Sequence, residues 1–496
     1  YELNTPAREV NGRIEDTFDN PALELVPGLR QFIDSRTRIY DSDKNNFGPR
    51  VGLAYAPNLL GPDQVTVLRV GFGIFYDQIL GAVVSQSRNV FPRFVTLNFG
   101  GLKPSIEDFL IFSNPYGVVI PVSSTTLAPL EVPGTLNTLN PEISLNRLLN
   151  FVSSEFLSAL GATLPARRLA MPSAYHYSLT FEQQLNSKTT ASVAYVGTQG
   201  RHLIRFTTPN LGPALVVAPT DLVVFQDAQP VPVFRGQGFV PPRGVRGVGS
   251  VNIFETTANS RYDGLQFEVR GRLRKSFQYQ AAYTFSKATD DVSDVFDLAG
   301  ASALPQNSMT FVGERGPANF DVRHRFAYNF IYNFAASSEM NPAIRHLVDG
   351  LQIAGTGRLQ TGQPFTVNSV VDVNLDGNLT DRLNTVTGIS VTGDNRQPLI
   401  LTTDNPANLL APFGQDGAIG RNTFRAGNVL EFDVAFNKTF SISSRQRLLL
   451  RAEIFNLFNR ANFGVPVRFL EAPGFGAATN TVTTGRRIQL GLKYSF

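Results

Sequence analysis

The last ten residues, Arg487 to Phe496 (RIQLGLKYSF), alternate without a break. Ile488, Leu490, Leu492, Tyr494 and Phe496 are large and apolar, while Arg487, Gln489, Gly491, Lys493 and Ser495 are polar or small. A period of two gives a β-strand one apolar and one polar face. About 9–11 residues of such a strand, tilted, cross a bilayer. A soluble sandwich strand can share the alternation. An aromatic carboxyl terminus on a strand of this length favours an outer-membrane barrel.

The same pattern recurs along the chain. Phe277, Tyr279, Ala281, Tyr283 and Phe285 oppose Gln278, Gln280, Ala282, Thr284 and Ser286. Leu265, Phe267 and Val269 oppose Gln266, Glu268 and Arg270, with Arg272 continuing the polar row. Phe326 to Phe334, Leu430 to Phe436 and Leu448 to Ile454 repeat it, with weaker versions at Val51–Tyr55, Leu68–Ile74, Leu179–Phe181, Ala191–Tyr195 and Leu351–Ile353. About eleven strands of membrane-crossing length are expected.

Connections alternate short and long. Short links fall at Pro57–Gln64, Leu185–Lys188, Arg274–Ser276, Ala335–Gly350 and Ser441–Arg445. Long ones fall at Asn4–Phe47, Gln78–Met171, Thr198–Ser260, Thr289–Asp321, Thr361–Asn428 and Arg460–Gly485. Compact soluble domains rarely carry such long connections, whereas up-and-down outer-membrane barrels have short periplasmic turns and long extracellular loops. With the Ser441 turn periplasmic, the final strand runs downward and Phe496 ends on the periplasmic side. The fold class expected is therefore all-β: an antiparallel up-and-down transmembrane β-barrel with long extracellular loops.

The absence of Cys in 496 residues excludes a disulfide scaffold, thiol catalysis and thiolate zinc sites. A net charge of +4 without a concentrated basic run argues against a nucleic-acid partner. No run of about 18 apolar residues is present, so helices do not span a membrane here. Tyr1-Glu2-Leu3 reads as the end of a strand entering a loop, and the chain is expected to be the C-terminal part of a longer polypeptide. Eleven strands leave two unpaired edges, so an open, curved sheet or a strained partial barrel is expected.

Several segments together resemble the Oar-like TonB-dependent transporter barrels. They are FGPRVGLAY (47–55), RVGFGIFYD (69–77), AYVGTQGRHL (194–203), YDGLQ (262–266), YTFSKA (283–288), FDVRHRF (320–326), GQPF (362–365), GRN (420–422) and EIFNLFN (453–459). Each is short; their order and spacing are specific, and the resemblance runs from about Tyr1 to Phe496, weakest in the long loop Gln78–Met171. The resemblance implies the C-terminal half of a barrel of about 22 strands, with a plug domain and a TonB-contacting segment upstream of Tyr1. It also implies that Tyr494 and Phe496 form the signal read by barrel-assembly machinery. Outer-membrane lipid and lipopolysaccharide are the expected surroundings. A passive porin or adhesin-like barrel is the alternative function, and a soluble carbohydrate-binding β protein a further one.

Charges on the polar faces, namely Arg69, Glu268, Arg270, Arg272, Arg323, Arg325, Arg358, Arg451, Glu453, Arg487 and Lys493, are expected to face the lumen and contact the plug. The loop DVNLDGNLTD carries Asp372, Asn374, Asp376, Asn378 and Asp381, oxygen ligands at alternate positions around a turn glycine, as a Ca²⁺ loop requires. Its twelfth position is Leu383 where an EF-hand has Glu, leaving an Asx-rich turn as the other reading. No other cofactor is expected. Asp290, Asp291, Asp294 and Asp297 read either as a solvated loop or as cation- or lipopolysaccharide-bridging groups. His176, His202, His324 and His346 are far apart and show no ligand spacing or nucleophile motif, so catalysis is not expected. Leu145, Leu148, Leu149, Val152, Phe156 and Leu160 suggest a short helix, which packs within its loop or serves as a lid.

Overall fold

The computed structural model describes residues 1–86 and 162–496 except 4, 7–17, 20, 26–27, 58–63, 211–213, 217–222, 227–228, 233–237, 241–250, 274–275, 296–303, 338, 370, 372, 375, 377 and 379. The helix expected around Leu145 to Leu160 lies outside the described residues, as do Asp297 and Asp372. Eleven strands form an antiparallel meander in which chain neighbours are sheet neighbours. They are β1 (Arg50–Tyr55), β2 (Thr66–Tyr76), β3 (Ser173–Asn186), β4 (Thr189–Asn210), β5 (Val251–Leu273), β6 (Phe277–Asp290), β7 (His324–Asn333), β8 (Leu351–Gln360), β9 (Val429–Ser441), β10 (Arg447–Phe455) and β11 (Arg487–Ser495). Short strands Ala162–Pro165 and Gly316–Pro317 add to β5 and β6. β1 and β11 do not pair with each other, and both are exposed throughout, so the described sheet is open.

Register shows why this sheet needs a membrane. One continuous row runs Tyr55, Leu68, Phe181, Val193, Phe267, Tyr283, Phe326, Leu359, Leu430, directly opposed from β1 to β9. Every member is apolar or aromatic, and this face is not packed against a second layer: Leu53 is 69% exposed and Leu490 78%. Left in water, each such side chain forgoes about 1.5–3 kcal/mol of burial; hydrocarbon removes that penalty. Glycines on this face sit under rings from the neighbouring strand, Gly355 beneath Phe330 and Gly357 beneath Tyr328, where a Cβ would collide with the ring. Introducing arginine at Phe267, inside the row, is expected to destabilise the bilayer-inserted protein by about 2–4 kcal/mol. Gln266→Arg, on the opposite face, should cost little, and urea unfolding in vesicles measures both.

Links alternate short and long throughout, with two departures from expectation. β4 and β5 continue past Thr198 and Ser260, pairing out to Asn210 and Val251 through register shifts near Glu255 and Ala258. This extension is stabilised by burial, because Ile204, Phe206 and Phe254 pack with Ile39, Tyr40, Ile79, Val83 and Leu169 into a core outside the membrane band. The link between β7 and β8 holds a helix, Pro342–Val348. Asn341 Oδ1 accepts from Ala343 N at 2.9 Å with Pro at the first turn, which is the chemistry of a helix start. Lys438 Nζ donates to the carbonyls of His346 at 2.7 Å, Leu347 at 3.1 Å and Asp349, closing its end.

Candidate functional site: a polar wall beneath a locked loop cap

On the polar face of the sheet several charged and amide side chains are linked, most of them from strand to strand. Glu182 on β3 accepts from Arg69 of β2 at 2.6 Å and from Arg270 of β5 at 3.4 Å. Glu268 accepts from Gln280 at 3.1 Å, whose Oε1 accepts from Asn329 at 3.1 Å. Arg358 pairs with Glu431 at 2.9 Å, and Arg451 with Glu453 at 2.5 Å. A concavity of about 430 Å³ opens over β6 to β9, walled by Gln280, Asn329, Thr356, Arg358, Glu431 and Asp433. Arg487 stacks over Phe455 at 4.7 Å, and Lys493 stands opposite Leu449. Arg272 and Arg325 are exposed, and Arg323 lies just before β7. These groups form a wall rather than one convergent cluster.

Above the wall, three long loops fold into a single cap, which the sequence did not reveal. Phe365, Val373, Leu383, Leu409 and Phe424 of the loop after β8 share a buried core with Leu470 and Phe475 of the loop after β10. Buried ion pairs tie this core to the loop between β6 and β7. Arg382, 3% exposed at its side chain, meets Glu314 at 2.9 Å. Arg421 pairs with Asp290 at the end of β6 and donates to the Glu314 carbonyl at 2.9 Å, while Arg425 pairs with Asp321. Gln306 is the joint: its N donates to Glu314 at 2.9 Å, its Oε1 accepts from Arg382 N at 2.7 Å, and its Nε2 donates to Gly417 O at 3.1 Å. A cavity of about 200 Å³ remains between the three loops, reached by Glu314, Phe365, Asn368, Arg382, Arg421 and Arg468.

Asp290 and Asp291 thus serve as anchors. Asp291 accepts from Asn259 N at 2.9 Å and Arg315 at 3.2 Å, with Arg205 at 3.9 Å. Arg205 is buried with its guanidinium 4.2 Å from the Phe311 ring, and desolvation lowers its pKa from the ordinary arginine value. The Asx loop closes through its own backbone. Asn374 Oδ1 accepts from Asp376 N at 3.0 Å, Asp376 Oδ1 from Asn378 N at 2.9 Å, and Asp381 from Val373 N and Asn374 N at 3.0 and 3.1 Å. Asn378 Nδ2 reaches Thr208 Oγ1 at 2.8 Å, joining this loop to β4. Among the described residues no group of three or more His, Asp or Glu is placed to hold a metal. His176 contacts Thr198 at 2.9 Å and His324 contacts Tyr283 at 2.8 Å, on separate strands.

The model of the family described as outer membrane beta barrel domain matches residues 1–489. The chain belongs to that family and is an outer-membrane β-barrel protein. A search of curated proteins by sequence finds no match. Among solved structures, the outer membrane transporter YddB of Escherichia coli is 9% identical, with 87% of this chain and 38% of that one covered and a TM-score of 0.39. The ferripyoverdine receptor of Pseudomonas aeruginosa is 10% identical, with coverages of 92% and 34% and a TM-score of 0.39. A mutant ferric enterobactin receptor of the same organism is 12% identical, with coverages of 92% and 41% and a TM-score of 0.41. The chain spans well under half the length of these structures.

Proposed function

We propose that the chain supplies wall and loop cap for a TonB-dependent outer-membrane transporter of the Oar-like type, which takes up an extracellular solute. The observation that carries this reading is the union of a lipid-exposed apolar face, a charged opposite face and a cap whose loops come from one end of the meander. In this reading the loops are extracellular, Phe496 is periplasmic, and the two open edges pair with further strands of the same polypeptide. A plug fills the lumen and contacts Arg69, Glu268, Arg270 and Arg358, and an energised inner-membrane complex displaces it. The charged wall suits this, because charges solvated or paired in a wet interior are tolerated where lipid-facing ones are not.

A passive porin shares the wall but keeps an open path. The full-length protein in a planar bilayer bathed in potassium chloride should therefore show no steady conductance; a stable open current would establish the porin instead. We further propose that Asp372, Asn374, Asp376, Asn378 and Asp381 bind Ca²⁺ through side-chain and carbonyl oxygens. Calorimetric titration with calcium chloride should give heat that disappears in Asp376→Asn/Asp381→Asn; no heat with the parent protein leaves the Asx turn as the complete account.

A further inference from the structure

Above the apolar band, the outward faces of three adjacent strands change from apolar and aromatic to charged. The outward positions of β6 read Phe277, Tyr279, Ala281, Tyr283, Phe285 and then Lys287. From Phe277 to Lys287 the strand advances about 34 Å, or about 25 Å along the membrane normal at a tilt of about 40°, the height of an outer-membrane apolar band. Lys287 therefore stands at the boundary between hydrocarbon and headgroups. It is exposed and has no partner among the described residues. Directly opposite on β5 is Asp263, and two residues further out on the same face is Arg261. Arg201 lies beyond Gln199, the residue opposed to Arg261 on β4. Three cations on three neighbouring strands are thus diagonal neighbours.

The carboxylates beside them are already committed: Asp291, bridged to Arg201 by Asn259, is taken by Asn259, Arg315 and Arg205. Asp263 accepts from Arg261 Nε at 2.6 Å and Nη2 at 3.3 Å, from Tyr195 Oη at 2.6 Å and from Tyr177 Oη at 3.2 Å. It therefore fixes the Arg261 guanidinium in place while offsetting one charge of three. Arg201 remains exposed and, among the described residues, donates to the Asn259 amide oxygen at 3.3 Å. The patch keeps two positive charges over a collar formed by Tyr177, Tyr195 and Phe285. Aromatic rings at headgroup depth with oriented cations just above them match a phosphate on an acyl chain, whose tails lie along the apolar rows below.

We propose that Arg201, Arg261 and Lys287 form a binding site for the phosphate headgroup of an outer-leaflet lipid. The site rests on the orientation proposed above, which puts this end of the sheet outside, and needs nothing of the plug or of solute uptake. The test is native mass spectrometry of the full-length protein in neutral detergent, with phosphatidic acid, phosphatidylcholine or inorganic phosphate added in separate arms. Phosphatidic acid should be retained preferentially. Each cation-to-glutamine change should weaken retention about fivefold, and Arg201→Gln/Arg261→Gln/Lys287→Gln together about a hundredfold. Unchanged phosphatidic acid retention in the triple variant overturns the proposal. Displacement of the lipid by an equal concentration of inorganic phosphate also overturns it, in favour of a free-anion site. Should the triple variant fail to fold by heat-dependent electrophoretic mobility, Lys287→Gln decides alone, because that side chain supports nothing else among the described residues.

Discussion

Glu314→Gln is expected to destabilise the loop cap by about 3–5 kcal/mol, since it strips the charge partner from a buried guanidinium. Glutamine has nearly the shape of glutamate and can still accept from Gln306 N, so packing is preserved and the loss is electrostatic. Among the described residues Arg382 then keeps neutral acceptors: Gln306 at 3.2 Å, Gly313 O at 3.2 Å and Val312 O at 3.4 Å. Hydrogen exchange should accelerate through 361–428 and 304–321, while the amides of β5 and β6 below Gly264 stay protected. Replacing both partners, as Glu314→Leu with Arg382→Met, should recover most of the loss, because no charge remains buried. Unchanged exchange in the cap of Glu314→Gln would show that the pair contributes nothing to closure.

The sheet was legible and the cap was not, for a physical reason. A strand in an outer-membrane barrel sorts its side chains between lipid and a polar interior at every second residue, so Leu448 to Ile454 or Phe277 to Phe285 announce both the element and its faces. Chain-neighbour pairing then gives the meander directly. The cap obeys no such period. Phe365, Leu383, Leu409 and Leu470 meet over separations of 18 to 105 residues, through irregular backbone held by side-chain bonds. Asp290 reads as part of an acidic, solvent-facing turn because Arg421, its partner, is 131 residues away. Gly420-Arg421-Asn422 did stand out as a segment, and Arg421 proves to be a buried anchor. Asn422, at φ 57°, is left-handed and donates to Pro317 O at 2.7 Å and Asn319 at 2.8 Å. The extension of β4 carries no alternation because successive residues from Ile204 to Thr208 are all buried, which erases the period that marks the membrane part.

Leu383→Ala tests whether the cap behaves as one cooperative body. Leu383 is fully buried, and its removal from a core with no other layer to collapse onto it is expected to cost about 2–5 kcal/mol. Its neighbour Arg382 carries the Glu314 pair, and its own carbonyl accepts from Ile419 N at 2.8 Å, so one residue joins the apolar core to the ionic lock. If core and lock open together, Leu383→Ala and Glu314→Gln will be strongly non-additive, since a cap already opened by one change has little left to lose to the other. Additive losses, read from cap-specific exchange in the double variant, would instead show two separately stable parts. Cooperative opening would let a ligand held in the 200 Å³ cavity between the loops stabilise all three loops at once. By mass action, occupancy there would then shift the whole cap toward its closed form over the polar wall.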